Sequence, residues 1–306
     1  MSAGKARLKA TCEQNSVPWF EDSTNNDTTY TRRNAARKLL TATPPRLPRA
    51  LQAPSLLSLA QRAGALNKSI GDRSQRLLNE ACEIALDSAT GSLRIKLPDT
   101  DPEDSRVLCR LLADISQLVS PRPHVGSRDV LAPSAHILRN PPAATAKLTA
   151  AGLKWTHQGD RRWLLERQPY SSHSRALAHI TLTSPGWSEW RLWDGRWWIR
   201  VHIPPSPPPD SCVFVIRPLD KTDMKPLRGK AERVGKSREL ERALKVLKGA
   251  ARFVIPAIFK RIGDADEEEE ILALPTVNLV LYNGGHGRTT ELEWEVKFNR
   301  SEGLRL

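Results

Sequence analysis

Pro18-Trp19-Phe20-Glu21-Asp22-Ser23-Thr24-Asn25-Asn26-Asp27, followed by Arg33-Asn34-Ala35-Ala36-Arg37, is the stretch on which the reading of this chain turns. Asp22, Thr24, Asn25 and Asp27 are loop formers whose side chains hydrogen-bond nearby backbone, so they suit a rigid turn. Thr28 or Thr31 then caps a helix that runs through Arg37 to Leu40. On that helix Arg33 and Arg37 are four apart and share a face, next to Asn34. Two guanidiniums on one face suit bidentate recognition of phosphate. The same residues permit a plainer arrangement, with Asp22 and Asp27 paired to Arg33 and Arg37 to fasten loop to helix. Asp22, Asn25, Asp27, Arg33, Asn34 and Arg37 are candidates for either role, which their chemistry alone leaves open.

Working outward, Lys5 to Gln14 reads as a short helix with Leu8 and Cys12 on one face. The proline-rich stretch Thr43 to Pro54 reads as a linker that sets off a helix at Ser55. From Leu56 to Leu86 the apolar residues Leu59, Ala63, Leu66 and Ile70, then Leu77, Ala81, Ile84 and Ala85, recur at helical spacing. Gly64 and Gly71 are expected to split this segment in two. Leu93, Ile95 and Leu97 alternate as in a strand, and Pro102 to Val119 predicts a helix with Val107, Leu111, Ile115 and Leu118 facing a core.

After residue 145 the pattern turns to strands. Lys147–Trp155 and Arg161–Arg167 read as a hairpin around Gln158-Gly159-Asp160, and Trp190–Trp193 and Arg196–Ile203 as a hairpin on Asp194-Gly195. Pro204 to Pro209 reads as a loop, Cys212–Ile216 as a buried strand, and Ser237–Lys248 as a basic helix carrying Leu240, Ala243, Leu244 and Leu247. Strands are expected near Arg252–Ile255, Ile271–Leu281 and Glu291–Phe298. The acidic run Asp264 to Glu270 reads as a solvated loop rather than a metal site. The fold class expected is α+β: a helical amino-terminal part, then a mixed, strand-rich carboxyl-terminal region. The divisions are 1–42, a linker at 43–54, a mainly helical region at 55–145 and a strand-rich region at 146–306.

Composition narrows the chemistry. Cys12, Cys82, Cys109 and Cys212 are far apart with no Cys-x-x-Cys pair, which argues against a zinc site or redox dithiol. No apolar run approaches the roughly 20 residues that cross a bilayer, so no membrane partner is expected. A net charge of +13 favours a polyanionic partner. Residues 221–260 hold twelve Lys or Arg against four acids. Lys245 and Lys248 there, with Arg33, Arg37, Arg196 and Arg200, are the candidate nucleic-acid contacts. Trp187, Trp190, Trp193, Trp197 and Trp198 cluster near Arg191, Arg196 and Arg200, as base-stacking platforms do, although tryptophans alternating on strands also build cores.

The opening stretch resembles the tRNA(Ile)-lysidine synthetases, whose ATPase domain ends in Trp-x-x-Asp-x-(Thr/Ser)-Asn-x-Asp and then Arg-Asn-x-x-Arg. Trp19, Asp22, Thr24, Asn25 and Asp27 fall on the first pattern, and Arg33, Asn34 and Arg37 on the second. The strict match covers about residues 5–40, and the remainder is similar in layout to the proline-interrupted tails of fungal members. The resemblance implies that residues 1–42 are the tail of an α/β ATPase domain. It also implies ATP with magnesium as cofactor, free lysine and isoleucine tRNA as substrates, and adenylation of the wobble cytidine before lysine displaces AMP. Because nuclear-encoded eukaryotic members serve organelles, it points to mitochondria, otherwise to the cytoplasm.

The family's Ser-Gly-Gly-x-Asp-Ser phosphate loop does not occur in these 306 residues. The single Gly-Gly pair, Gly284-Gly285, lies between two strand-like runs and reads as a hairpin turn. The chain is therefore expected to be incomplete, with catalysis requiring an amino-terminal half. The alternatives are a non-catalytic basic RNA-binding or scaffold protein that keeps only the tail of the enzyme, and a decayed fragment.

Overall fold

The computed structural model describes residues 4–20, 22–42, 47–98, 104–138, 146–171, 174–175, 178–203, 212–262, 269–282 and 292–299. The architecture is mixed α+β, helical first and then strand-rich with antiparallel sheets. The chain divides into two compact units at Ser69/Ile70. Pro204–Pro209 and Gly284-Gly285 fall outside the described residues. Among the described residues no helix is long and apolar enough to cross a membrane.

The first unit is helical. Helix α1 (Lys5–Gln14) and helix α2 (Arg32–Thr41) bracket a 3-10 turn at Ser23–Asn26. Thr31, rather than Thr28, caps α2, its hydroxyl accepting from the Asn34 amide at 3.2 Å. Helix α3 (Ala53–Ala81) is one unbroken run of 29 residues, so the break expected at Gly64 and Gly71 is absent. An interior glycine costs only about 1 kcal/mol, and the Leu, Ala, Gln and Arg around these two are strong helix formers. The helix also begins two residues before Ser55, because Pro54 is tolerated in a first turn.

In the second unit, Ile84 and Ala85 lie in a strand rather than continuing the helix. Strand β1 (Glu83–Asp87) pairs antiparallel with β2 (Ser92–Lys96), placing Ile84 opposite Ile95. The Asp87 carboxylate accepts the amides of Ala89 and Thr90, which starts the turn between them. The run Lys147–Trp155, expected as one strand, is two: β3 (Lys147–Ala150) and β4 (Leu153–His157). Between them Ala151 and Gly152 take positive φ, a two-residue reversal with little polar signature. With β5 (Arg162–Arg167) they give a five-stranded sheet ordered β1-β2-β5-β4-β3, which draws strands from both sides of residue 145.

Alternation sets this sheet's inner face, burying Leu93, Ile95, Leu153, Trp155, Trp163 and Leu165. Helix α4 (Ser105–Val119) buries Val107, Leu111 and Ile115 as its spacing predicts and packs against β5. Helix α5 (Leu131–Leu138), which the sequence did not signal, packs on α4 and β3.

Two further sheets complete the unit. Strands β6 (Ile180–Leu182), β10 (Cys212–Pro218), β11 (Pro256–Ile262), β12 (Glu269–Leu274) and β13 (Leu279–Val280) are ordered β13-β12-β11-β10-β6. Residues 252–255, expected as strand, fall within and just after a 3-10 turn (Gly249–Phe253), and Pro256 opens β11. Another 3-10 turn at Pro275–Val277 breaks the expected strand 271–281. The end of the acidic run is not a solvated loop: Glu269 bonds Arg217 and Arg261, and Glu270 bonds Lys230. Helix α6 (Met224–Arg233), also unforeseen, packs on β12, and helix α7 (Ser237–Val246) on β13. The third sheet is ordered β14-β9-β7, from β7 (Gly186–Trp187), β9 (Trp197–Ile203) and β14 (Glu293–Phe298), with β8 (Arg191–Trp193) also pairing β9.

The turn between β8 and β9 is where the three sheets are joined. Asp194 and Gly195 take φ of 49° and 66°, as an Asp-Gly hairpin requires. The buried Asp194 carboxylate lies 3.1 Å from the Arg167 guanidinium, at the end of β5, and 2.7 Å from that of Arg196. Arg196 also donates to the Val254 carbonyl just before β11. A Cβ on Gly195 would meet the Pro121 carbonyl oxygen at 2.5 Å, so the turn also fits closely behind α4.

Removing that carboxylate charge strands two buried cations. Asp194→Asn is expected to cost roughly 3–5 kcal/mol, the usual penalty for breaking a buried pair. Urea denaturation of the two proteins measures it, and a loss below about 1 kcal/mol would contradict the joining role.

Candidate functional site

The turn before α2 is built by its own short side chains. Asp22 caps the 3-10 turn, its Oδ1 accepting the Thr24 amide at 2.9 Å and the Thr24 hydroxyl at 2.7 Å. Asp27 repeats the device on Thr29, at 2.8 Å for the amide and 2.6 Å for the hydroxyl. Asn25 donates to the Asp22 carbonyl at 3.2 Å. These bonds favour the ionised carboxylates, so the hydroxyl first and the amide second hold both Asp22 and Asp27 below the ordinary value of 3.8.

Asn34 fastens this turn to the helix. It is 6% exposed, and its amide nitrogen donates to the Thr24 carbonyl at 2.8 Å and the Asp27 carbonyl at 2.9 Å. One side chain thus closes both ends of the Thr24–Asp27 segment. Arg33 and Arg37, on either side of Asn34 along α2, are exposed. The structure therefore brings Asp22, Asn25, Asp27, Asn34 and the two arginines into one small region, with Asn34 facing in and the guanidiniums on the surface.

The unit holding this turn leaves much apolar surface uncovered. Phe20 is 90% and Tyr30 68% exposed, and Leu8, Leu39, Leu57, Leu59 and Leu66 are exposed too. Among the described residues, none of the buried hydrophobic core comes from before residue 70. Trp19 is partly shielded by the Lys9 ammonium, 4.5 Å from the ring centre.

The candidates in the second unit separate by depth. Arg196 is 1% exposed, committed to Asp194 and Val254 and lying 4.1 Å from the Trp197 ring centre. Trp193 and Trp197 are buried with it. Trp187, Trp190, Trp198 and Arg200 lie on the other face of the third sheet. There Arg200 bonds Glu295 at 2.6 Å and sits 4.7 Å and 4.9 Å from the ring centres of Trp187 and Trp190. Lys297 lies over Trp190 at 4.7 Å, and His202 lies 5.3 Å from Trp187. Trp187 and Trp190 already carry cations of their own sheet, which an incoming base would have to displace, and Trp198 donates its ring nitrogen to Asn299 Oδ1 at 2.7 Å.

Lys245 and Lys248 are exposed, Lys245 on α7 and Lys248 just beyond it. The sequence missed their neighbours on α6, Lys225, Arg228 and Arg233, although Leu227 and Ala231, four apart and buried, were a helical signal. Among the described residues no group of three or more His, Cys, Asp or Glu side chains is assembled to hold a metal.

No family model matches the chain. It is similar to the probable tRNA(Ile)-lysidine synthase of Schizosaccharomyces pombe, 23% identical over 278 residues. That match takes in 89% of this chain and 55% of the relative, so the chain spans about half the relative's length. The resemblance read from residues 5–40 thus extends over most of the sequence.

Two measurements test the turn. Asn34→Ala should speed amide exchange at Asn25 and Asp27 at least tenfold, since two carbonyls lose a donor, while leaving the unfolding of residues 70–306 unchanged. Equal exchange in both proteins would refute the clamp. Because both aspartates titrate lower when folded, their contribution is present above pH 3.8 and lost as pH falls through the folded values. The Thr24 and Thr29 amide resonances should therefore shift with midpoints below 3.8, and midpoints above it would contradict the geometry.

Proposed function

We propose that this chain is part of a tRNA-modifying ligase, and that the reaction is ATP-driven attachment of free lysine to the wobble cytidine of isoleucine tRNA. The observation that carries the reading is the Asn34-clamped turn beside Arg33 and Arg37, in a unit whose described residues contribute nothing to the buried hydrophobic core. A rigid turn holds two exposed cations at fixed positions, which suits charge building up on phosphate. The bare apolar side chains around it suit burial against a further protein surface. Similarity over 89% of the chain to a protein named for this activity supports the same assignment.

The described residues do not fit ATP by themselves. No Ser-Gly-Gly-x-Asp-Ser loop is present among them, and the bonds of Asp22 and Asp27 go to threonines rather than to an open metal position. In this reading the nucleotide is bound mainly by residues outside these 306, and Arg33 and Arg37 add positive charge at its edge.

A second reading, a non-catalytic RNA-binding protein, draws on the exposed cations of α6 and α7. It predicts RNA binding with no lysine-dependent turnover.

The chain should be combined with an amino-terminal half bearing the Ser-Gly-Gly-x-Asp-Ser loop and assayed for lysine-dependent ATP–pyrophosphate exchange and lysidine formation. Arg33→Ala and Arg37→Ala are each expected to slow modification roughly 10- to 100-fold, the effect of losing about 1.5–3 kcal/mol of charge-assisted bonding. Their melting temperatures should not move. Exchange that is independent of lysine, or absent altogether, would favour the second reading. Equal loss of activity and stability would return the arginines to a fastening role.

A further inference from the structure

Helices α6 and α7, joined by Val234-Gly235-Lys236, pack on one another and on the β12–β13 edge of the second sheet. Each has one apolar side. Leu227 and Ala231 are buried from α6, and Leu240, Ala243 and Leu244 from α7. At 100° per residue, Arg238, Arg242 and Lys245 fall directly opposite the buried side of α7, at spacing i, i+4, i+7. On α6, Lys225 and Arg233 fall opposite the buried side with Arg228 beside them, and Gly229 lies in their midst. All six cations are exposed.

This arrangement is electrostatically unfavourable without a partner. Like charges at i, i+4 on a helix repel, and Arg238 and Arg242 are such a pair. Several other cations of this unit are matched: Arg217 with Asp223 and Glu269, Arg261 with Glu269, Lys230 with Glu270. Among the described residues no ion pair engages Arg238, Arg242, Lys245, Lys225 or Arg228. Glu232 lies among the outer cations of α6, and Glu239 and Glu241 flank the α7 row, so the outer side holds six exposed cations against three exposed acids.

We infer that the outer face of α6 and α7 docks on the sugar–phosphate backbone of a base-paired RNA stem, reading its regular charge rather than its bases. This rests on the proposed function for the choice of RNA as the polyanion. Within it, the chemistry of the face selects a stem over an unpaired strand. Single strands are held by stacking bases on aromatic rings, and the exposed positions of α6 and α7 carry Lys, Arg, Glu, Ser and Gly, with Pro226 and Val246, but no aromatic side chain. On the third sheet Trp187 and Trp190 are engaged by Arg200, Lys297 and His202, and Trp198 donates its ring nitrogen to Asn299 Oδ1 at 2.7 Å. Two short rows of cations, the α7 row about 10 Å long at 1.5 Å per residue, match evenly spaced phosphates instead.

The test uses the full chain and three labelled probes: a blunt 16-base-pair RNA duplex, its single strand, and polyglutamate. The duplex is expected to bind tightest, with affinity falling steeply as salt rises. Arg238→Gln/Arg242→Gln/Lys245→Gln should weaken duplex binding at least tenfold and lower the salt slope by roughly 2–3, about one for each phosphate left without its cation. The charge-keeping variant Arg238→Lys/Arg242→Lys/Lys245→Arg should bind like the parent, and Gly229→Glu, whose Cβ meets nothing within 4 Å, should weaken binding at unchanged melting temperature. Parental binding by the glutamine variant, equal binding of single strand or polyglutamate, or weakened binding by the charge-keeping variant would each overturn the inference. Duplex binding that follows this pattern without lysidine formation would count against the proposed ligase and leave this surface standing.

Discussion

The second unit depends on one carboxylate. Asp194 sits at a hairpin turn and is buried between two guanidiniums, one from the first sheet and one that reaches the entry to the second. A lone buried charge is costly, and a buried pair repays that cost only when its remaining bonds are made. Here Arg196 is further held over the Trp197 ring, whose indole nitrogen donates to the Ser88 carbonyl at 2.9 Å, and Asn299 donates to the Gly195 carbonyl at 3.1 Å. The hairpin is thus tied to the β1–β2 turn, to β14 and to the start of β11 through polar contacts of fixed direction. Apolar packing alone would leave the sheets freer to slide, because burial rewards area and not orientation.

The same comparison explains why the two candidate surfaces differ in kind. The turn at 22–29 gets its shape from bonds within a few residues, Asp22 to Thr24 and Asp27 to Thr29, and its attachment from Asn34 alone. It keeps that geometry without a core beneath it. The basic face of α6 and α7 is the reverse case, since among the described residues no ion pair holds its cations and its positions come from the buried leucines behind them. One surface is ordered for a reaction that tolerates little displacement, the other for a contact that is summed over several charges.

What the sequence disclosed follows from the range of the interactions involved. Helices with their own caps, such as Arg32–Thr41 and Ser105–Val119, were readable to within a few residues, as were Lys5–Gln14 and the Asp194-Gly195 hairpin. Elements decided by distant partners were not. Ile84 and Ala85 fit a helix until β2 supplies their neighbours, and the reversal at Ala151-Gly152 follows from pairing between β3 and β4. At the candidate site, residue types pointed to a turn beside a helix, and the structure brings the six positions into one region. They did not show that Asn34 makes the clamp, because an amide reaching two carbonyls across seven and ten residues leaves no local pattern. Nor did they separate Arg196 from Arg200, four apart on one hairpin, one in the core and one at the surface.

The uncovered leucines and aromatics ahead of residue 70 carry a practical consequence for handling the polypeptide. Extended apolar segments of this kind are what chaperone holdases seize and what drives precipitation at high concentration. The helical segment made on its own would spend its life bound to quality-control machinery or in inclusion bodies, and its abundance would follow that of whatever polypeptide covers it.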